Sequence, residues 1–292
     1  MAVELERYRA LLCAIETGSL SAAAEKLGYT PSGVSRMMAS LEDEMGFPLL
    51  LRGREGVLPT GECRQMLPAI RELLFSGETC QQLASKIRGL DIGTVTIGAA
   101  YSAYYGWLSR VTSAFHERYP GIRIQLRSGS STELLRLMDR HEADLCFISQ
   151  REGGHVWTPL QRDPLMAWVP GTHPLAAGAS VPVSAFSSEP YIDIYPGQDS
   201  DNARLFRQLG LHPNTVFSTM DSYAAYAMVE AGLGISMNNH LTPVLPGSVA
   251  VLPLDPPQSV TIGLAVPEVT GPATDTFLSF LQPYLAELQP AT

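Results

Sequence analysis

Three patterns predict an α/β chain in three parts: an N-terminal winged helix-turn-helix, a long linker helix, and a two-lobed α/β body. The first is a pair of capped short helices meeting at a sharp turn within residues 18–50. The second is an apolar seam, at spacings of four and three, between Met66 and Ile87. The third is an alternation of apolar strands with helices from about residue 91 onward.

The turn follows residue by residue. Ser19 is a good N-cap for a first helix, whose small Ala22, Ala23 and Ala24 let another helix approach closely. Gly28 takes the left-handed conformation that ends it. Thr30 caps the next helix, and Pro31 follows at its first position, where a fixed φ helps and a missing N–H costs nothing. Two helices so briefly connected fit a helix-turn-helix. On the second helix Val34, Met37, Met38 and Leu41 make the inward stripe, leaving Ser32, Gly33, Ser35 and Arg36 to reach base edges from its first two turns. Ser21, Thr30 and Pro31 complete the set expected at DNA. The segment Pro48–Leu58 reads as two short extended pieces around a glycine-flanked basic tip, a wing whose Arg52 and Arg54 would sit over phosphates. A solvated helical hairpin is the competing reading of a bare helix-turn-helix pattern.

The full spacing of this stretch resembles the winged helix-turn-helix of the LysR-type transcriptional regulators. The matches are Gly18 to Leu20, the alanine run, Leu27, Val34-Ser35-Arg36, Leu41-Glu42, Gly46, Leu49, Arg52 and Thr60. Three departures stand out: Pro31 replaces a frequent Gln, Gly33 replaces the usual Ala, and the Leu-Thr-x-x-Gly signature becomes Pro59-Thr60-Gly61-Glu62-Cys63. Loss of the Gln removes an adenine contact, so operator preference does not carry over.

The 292 residues, 45% of them hydrophobic, suffice for two or three compact units. No apolar run approaches the ~20 residues that span a bilayer, and Glu4, Glu6 and Glu16 interrupt any N-terminal signal; the expected location is the cytoplasm, without membrane contact. The net charge of -9 is unfavourable for a DNA binder, but it is unevenly spread. Through Leu90 there are 10 Lys and Arg against 11 Asp and Glu, and beyond it 10 against 18. The acidic remainder suppresses non-specific adhesion to DNA. Cys13, Cys63, Cys80 and Cys146 form no Cys-x-x-Cys pair, which argues for reduced thiols and against zinc. A redox role for Cys63 or Cys80 would need operator binding to respond to peroxide. The six histidines show no metal spacing, and no nucleophile elbow, zinc-protease or phosphate-loop motif occurs. The chain is therefore expected to be no enzyme and to need no cofactor or metal.

From about Gly61 to Arg88 the residues Met66, Ile70, Leu73, Gly77, Cys80, Ala84 and Ile87 lay one seam for a partner helix, the expected site of dimerisation. Pro68 favours a helix start near residue 67 and Gly77 weakens the propensity. Packing of this helix on its own domain is the alternative. Beyond it, strands TVTIGAAY, GIRIQLRS and ADLCFIS separated by helices predict a parallel sheet. A second lobe follows with strands near LMAWVPG, YIDIYPG, NTVFST and GISMN and helices at 201–209 and 222–231. The final VTIGLAV strand and the 273–288 helix pack back on the first lobe, with hinge strands near Gln161 and Pro257. The expected divisions are residues 1–60, 61–90 and 91–292, the last split into lobe 1 (91–161 and 258–292) and lobe 2 (162–257).

Residues from about 91 onward are similar to the effector-binding domain of the same family, whose fold is that of type 2 periplasmic binding proteins. The matches are Phe115, Tyr119-Pro120, Asp144-Leu145, His173-Pro174-Leu175 and Val229 to Gly234. In open α/β sheets, ligands settle at strand carboxyl ends beside helix N-termini. The resemblance places the effector cleft at Tyr101, Ser102 and Ala103, at Ser130 and Ser131, and at Pro196, Gln198 and Asp199, with Phe147 and Ser149 as wall and Asp221 at the opposite helix start. Each serine serves equally well as a plain helix cap. Such a cleft favours a small anion, whereas Asp199, Asp201 and Asp221 favour an amine or polyol; both readings stay open. Tyr104, Tyr105, Trp107 and Tyr195 suggest an aromatic lining or, alternatively, core, and Arg204 an anion clamp or a solvent-facing residue. The resemblance implies homodimers pairing into homotetramers on double-stranded promoter DNA. A small-molecule effector would relax a DNA bend and expose a site for RNA polymerase. Rival readings are a DNA-binding regulator whose lobes bind a protein partner, and a cytoplasmic solute-binding protein.

Overall fold

A computed structural model of the protein describes residues 4–53, 56–240 and 248–288. The chain divides into two compact units, Met1–Gly89 and Leu90–Thr292.

The first unit contains α1 (Leu5–Thr17), α2 (Leu20–Leu27), α3 (Pro31–Met45), the strand pair β1 (Leu50–Gly53) and β2 (Gly56–Pro59), and α4 (Gly61–Ile87). The caps are those expected: Ser19 Oγ accepts from the Ala22 N–H at 3.3 Å, Thr30 Oγ1 from the Gly33 N–H at 3.1 Å, and Gly28 ends α2 at φ 74°. Ala23, Ala24, Val34, Met38 and Leu41 are fully buried against Ala10, Leu11 and Ala14 of α1. The wing docks on the turn between α1 and α2, since the Val57 N–H donates to the Gly18 carbonyl at 2.8 Å. Gly56 permits that approach: its φ is +99°, and a Cβ there would lie 2.5 Å from the Gly18 oxygen.

The linker helix begins at Gly61, six residues before the start that Pro68 favours. Its cap explains the difference. Thr60 Oγ1 accepts from the Cys63 N–H at 3.0 Å and donates to the Pro48 carbonyl at 2.9 Å, while Cys63, Ile70 and Leu74 bury into the unit's core. Burial of those side chains outweighs the single helical hydrogen bond that Pro68 cannot donate. The seam also divides. Met66, Ile70 and Leu73 pack on their own unit, and Gly77 sits so close to Leu5 that a Cβ would come within 2.6 Å of its methyl. Cys80, Ala84 and Ile87 are exposed.

In the second unit, β3 (Gly93–Ala99), β4 (Ile122–Ser128) and β5 (Leu145–Ser149) are parallel in the order β4-β3-β5, with α5 (Tyr105–Arg118) and α6 (Ser131–Asp139) as crossovers. The long β6 (His155–Pro170) leaves this lobe, and β12 (Ser259–Pro267) returns to it, pairing with both β5 and β6; α9 (Pro272–Leu285) closes the core. Lobe 2 uses the far half of β6 with β7 (Val181–Pro182), β10 (Ser236–Asn239) and β11 (Val249–Asp255). Its β8 (Tyr191–Ile194) and β9 (Thr215–Thr219) pair in parallel, and α7 (Asp201–Leu209) and α8 (Ser222–Glu230) cover it.

The strand expected near LMAWVPG and the hinge strand expected near Gln161 are present as one element, and the hinge expected near Pro257 is corrected. The LMAWVPG strand is the second half of β6, which runs unbroken through Gln161 from one lobe to the other. Near Pro257 there is no hinge strand but a short link between β11 and β12, because Pro256 and Pro257 bring no N–H to a ladder. Strand β11 itself lies where only a connection was expected.

Candidate functional site

On α3 the buried residues Val34, Met38 and Leu41 leave Pro31, Ser32 and Arg36 on the exposed face. Arg36 Nε donates to the Ser32 carbonyl at 3.3 Å, so its guanidinium lies back toward the first turn, the end that a recognition helix presents to bases. Ser35 is half-buried, and Gly33 lies against its own cap, with a built Cβ 3.0 Å from Thr30 Oγ1. A methyl at 33 would therefore press on the cap that starts the helix. Ser21 is exposed on α2 and Thr30 at the turn. Arg52 is exposed on β1, 3.9 Å from Glu42. Arg54 lies outside the described residues.

Glu42 has a second use that its position in α3 does not announce. Its Oε1 accepts from the N–H groups of Leu49 and Leu50 at 2.8 and 3.0 Å, anchoring the wing to the recognition helix. Charge-assisted bonds of this kind are the stronger class of hydrogen bond.

Between the lobes of the second unit is a cavity of about 60 Å³. Three helix starts meet there: Ser130 and Ser131 of α6, Ser200 to Asn202 of α7, and Ser222 of α8. Each helix start carries N–H groups without intrahelical partners and the positive end of a dipole. Ala100, Tyr101 and Ser102 close the cavity from the end of β3, Ile194 and Tyr195 from β8, and Asn238 and Asn239 from β10. The Asn239 Nδ2 group is buried and has no hydrogen-bond partner among the described residues.

Several expected cleft residues stand elsewhere. Phe147 is fully buried and stacks on Tyr104 at 5.6 Å and edge-on to Trp107 at 5.5 Å; all three are lobe 1 core, Phe147 on the fully buried β5, Tyr104 in the helical turn after β3 and Trp107 on α5. Ala103 sits in the single helical turn after β3, half-buried and off the cavity lining. Pro196 and Gln198 lie in the bend after β8, also off the lining. Asp221 Oδ1 accepts from the Ala224 N–H at 2.8 Å and is the cap of α8. His173 is structural, its Nδ1 accepting from the Leu175 N–H at 3.3 Å.

The chemistry beside the cavity centres on a residue that sequence reasoning did not single out. Arg151 follows β5, and its side chain is only 4% exposed. It donates to Ser149 Oγ at 2.5 Å, Thr132 Oγ1 at 3.0 Å and Asp201 Oδ1 at 2.9 Å. Ser149 is buried, donates to Asp201 Oδ1 at 2.6 Å and lies 3.1 Å from Ser131 Oγ. Tyr101 donates to Asp201 Oδ2 at 2.6 Å; burial, then the Asp201 charge, push its phenol well above its ordinary pKa. A lone arginine in the -Ser-Gln-Arg-Glu- loop has no sequence signal that separates it from a solvated one.

Asp199 is held within lobe 2 by Arg204 at 2.5 Å and by Arg207, and accepts from Thr132 of lobe 1 at 3.2 Å. Desolvation pushes its carboxyl up, but the Arg204 and Arg207 hydrogen bonds and the Arg204 charge outweigh this and hold it down at about 2. Arg204 is thus partly exposed and clamps an internal anion. The buried Cys63 and Cys146 thiols are pushed up by burial, that of Cys146 to about 12, which leaves them poor nucleophiles at neutral pH. Among the described residues no cluster of metal-ligating side chains occurs, and no helix is long and apolar enough to cross a membrane.

Comparison with known proteins fits this arrangement. Residues 5–64 match the family model described as bacterial regulatory helix-turn-helix protein, lysR family, and residues 88–286 match the LysR substrate binding domain. The chain is 27% identical over 258 residues to YvbU, an HTH-type transcriptional regulator of Bacillus subtilis (strain 168), covering 87% of this chain and 88% of that one. A full-length OxyR from Pseudomonas aeruginosa superposes with a TM-score of 0.69 at 18% identity, over 100% of this chain and 96% of the other. Full-length CbnR in complex with its target DNA superposes with a TM-score of 0.63 at 19% identity, over 96% and 99%.

Proposed function

The chain belongs to the LysR family of DNA-binding transcriptional regulators, with a helix-turn-helix domain and an effector-binding domain, and we propose how its own residues divide that work. Pro31, Ser32, Ser35 and Arg36 face base edges, Ser21 and Thr30 the adjacent backbone, and Arg52 and Arg54 the phosphates beside the groove. The observation that carries the DNA reading is the Arg36 side chain, exposed and folded back toward the first turn of a helix whose other face is fully buried. Arg36→Ala is expected to weaken binding to the chain's own promoter fragment by about 1 to 3 kcal/mol in a titrated mobility-shift assay at fixed salt. An unchanged affinity would reject this assignment.

The second unit takes a small polar effector in the cavity between its lobes, where three helix starts converge with the Asn239 Nδ2 group, which has no partner among the described residues. The chain acts as a homodimer or homotetramer, assembled in part through the exposed end of α4, in the cytoplasm and in contact with RNA polymerase at its promoters. It regulates by binding and not by catalysis. Ser102→Tyr fills the cavity without touching a helix cap, so it should abolish the response of DNA binding to the effector while leaving the DNA affinity unchanged. Ser130 is the poorer choice, because its hydroxyl caps α6.

A further inference from the structure

Three donors of lobe 1 converge on one point of the cleft: Arg151 Nη2, Ser149 Oγ and Tyr101 OH. A guanidinium so deeply buried requires an anion beside it, and among the described residues lobe 1 supplies none at hydrogen-bond distance. The anion comes from lobe 2, as the carboxylate of Asp201 at the first position of α7. Its Oδ1 accepts from Arg151 and Ser149 and its Oδ2 from Tyr101. Helix capping does not account for this placement, because Ser200 already caps α7 by accepting from the Ala203 N–H at 3.2 Å. Neither does a pairing within lobe 2: the α7 arginines Arg204 and Arg207 are both turned to Asp199.

We propose that Tyr101, Ser149 and Arg151 form a carboxylate-binding cradle on lobe 1, and that Asp201 is its tethered resident, which holds the two lobes together when no ligand is bound. A tethered group competes at an effective concentration on the order of mM, so free carboxylates are kept out of the cradle in the native chain. Resting on the effector reading of the adjoining cavity, this makes Asp201 a specificity residue: an effector places a carboxylate here only by displacing it.

The test is thermal melting of the full chain, without DNA or effector, in matched concentrations of sodium formate and sodium chloride. Asp201→Ala opens a gap of carboxylate size and should melt below the native chain, with formate raising its Tm by about 2–4 °C beyond chloride. The native chain and Asp201→Asn, whose cradles stay filled, should show no such preference. Asp201→Ser leaves a comparable gap and is read in the same way if the alanine variant does not fold. The proposal falls if the gapped variant melts with the native chain, if formate does no better than chloride, or if the native chain responds equally. A chain for which no effector is found still passes or fails this test, so the two readings fail separately.

Discussion

Asp199 shows how one side chain in this cleft is tuned. Its folded carboxyl lies at about 2, below the ordinary carboxylate range, because Arg204 and Arg207 bind the ionised form. A depressed pKa contributes stability that is complete above about pH 4 and is lost as pH falls toward 2. Both arginines are exposed, so solvent screening leaves a contribution of about 1 kcal/mol. Urea titrations should therefore find the native chain more stable than Asp199→Asn at pH 6, with the gap closing progressively toward pH 2. A gap that is constant with pH would mean that the arginines do not stabilise the ionised carboxylate.

At the scale of elements, caps and buried stripes decide where helices begin. Thr30 and Thr60 both cap, but they stand in different surroundings. Thr30 is exposed and satisfies one N–H, whereas Thr60 is 5% exposed, satisfies the Cys63 N–H and also bonds to Pro48 at the base of the wing. Thr60→Ala should cost about 2 kcal/mol and Thr30→Ala about 1 kcal/mol in chemical denaturation of the full chain. The reverse order would show that the wing contact carries no weight. The same buried context carries α4 through Pro68, which local propensity alone would place at its start.

For the whole molecule, α4 is divided in purpose. Its first half is held by its own unit, while Leu83 and Ile87 toward its end are 48% and 86% exposed. Large apolar side chains at helical spacing outside a core fit the association surface proposed for this end of α4. Leu83→Glu with Ile87→Glu should shift the chain toward monomer in analytical ultracentrifugation, with each unit's far-ultraviolet signal retained. A sedimentation coefficient unaffected by both changes would move the association surface elsewhere.

The caps at Ser19, Thr30 and Gly28, the Val34–Leu41 stripe and the alternation of β3, α5, β4, α6 and β5 were legible in the sequence. Each is a local rule of spacing, satisfied within a few residues. The same locality misled at Phe147, which read as a wall of the cleft and is core, and it left Tyr104 and Trp107 open between lining and core, because residue type alone does not say what packs against a side chain. The cleft contact depended on the tertiary structure for a stronger reason. Arg151 and Asp201 lie 50 positions apart and on different lobes, and neither belongs to any periodic pattern. Only folding brings a buried cation to the carboxylate that compensates its charge, and that electrostatic requirement leaves no trace in spacing along the chain.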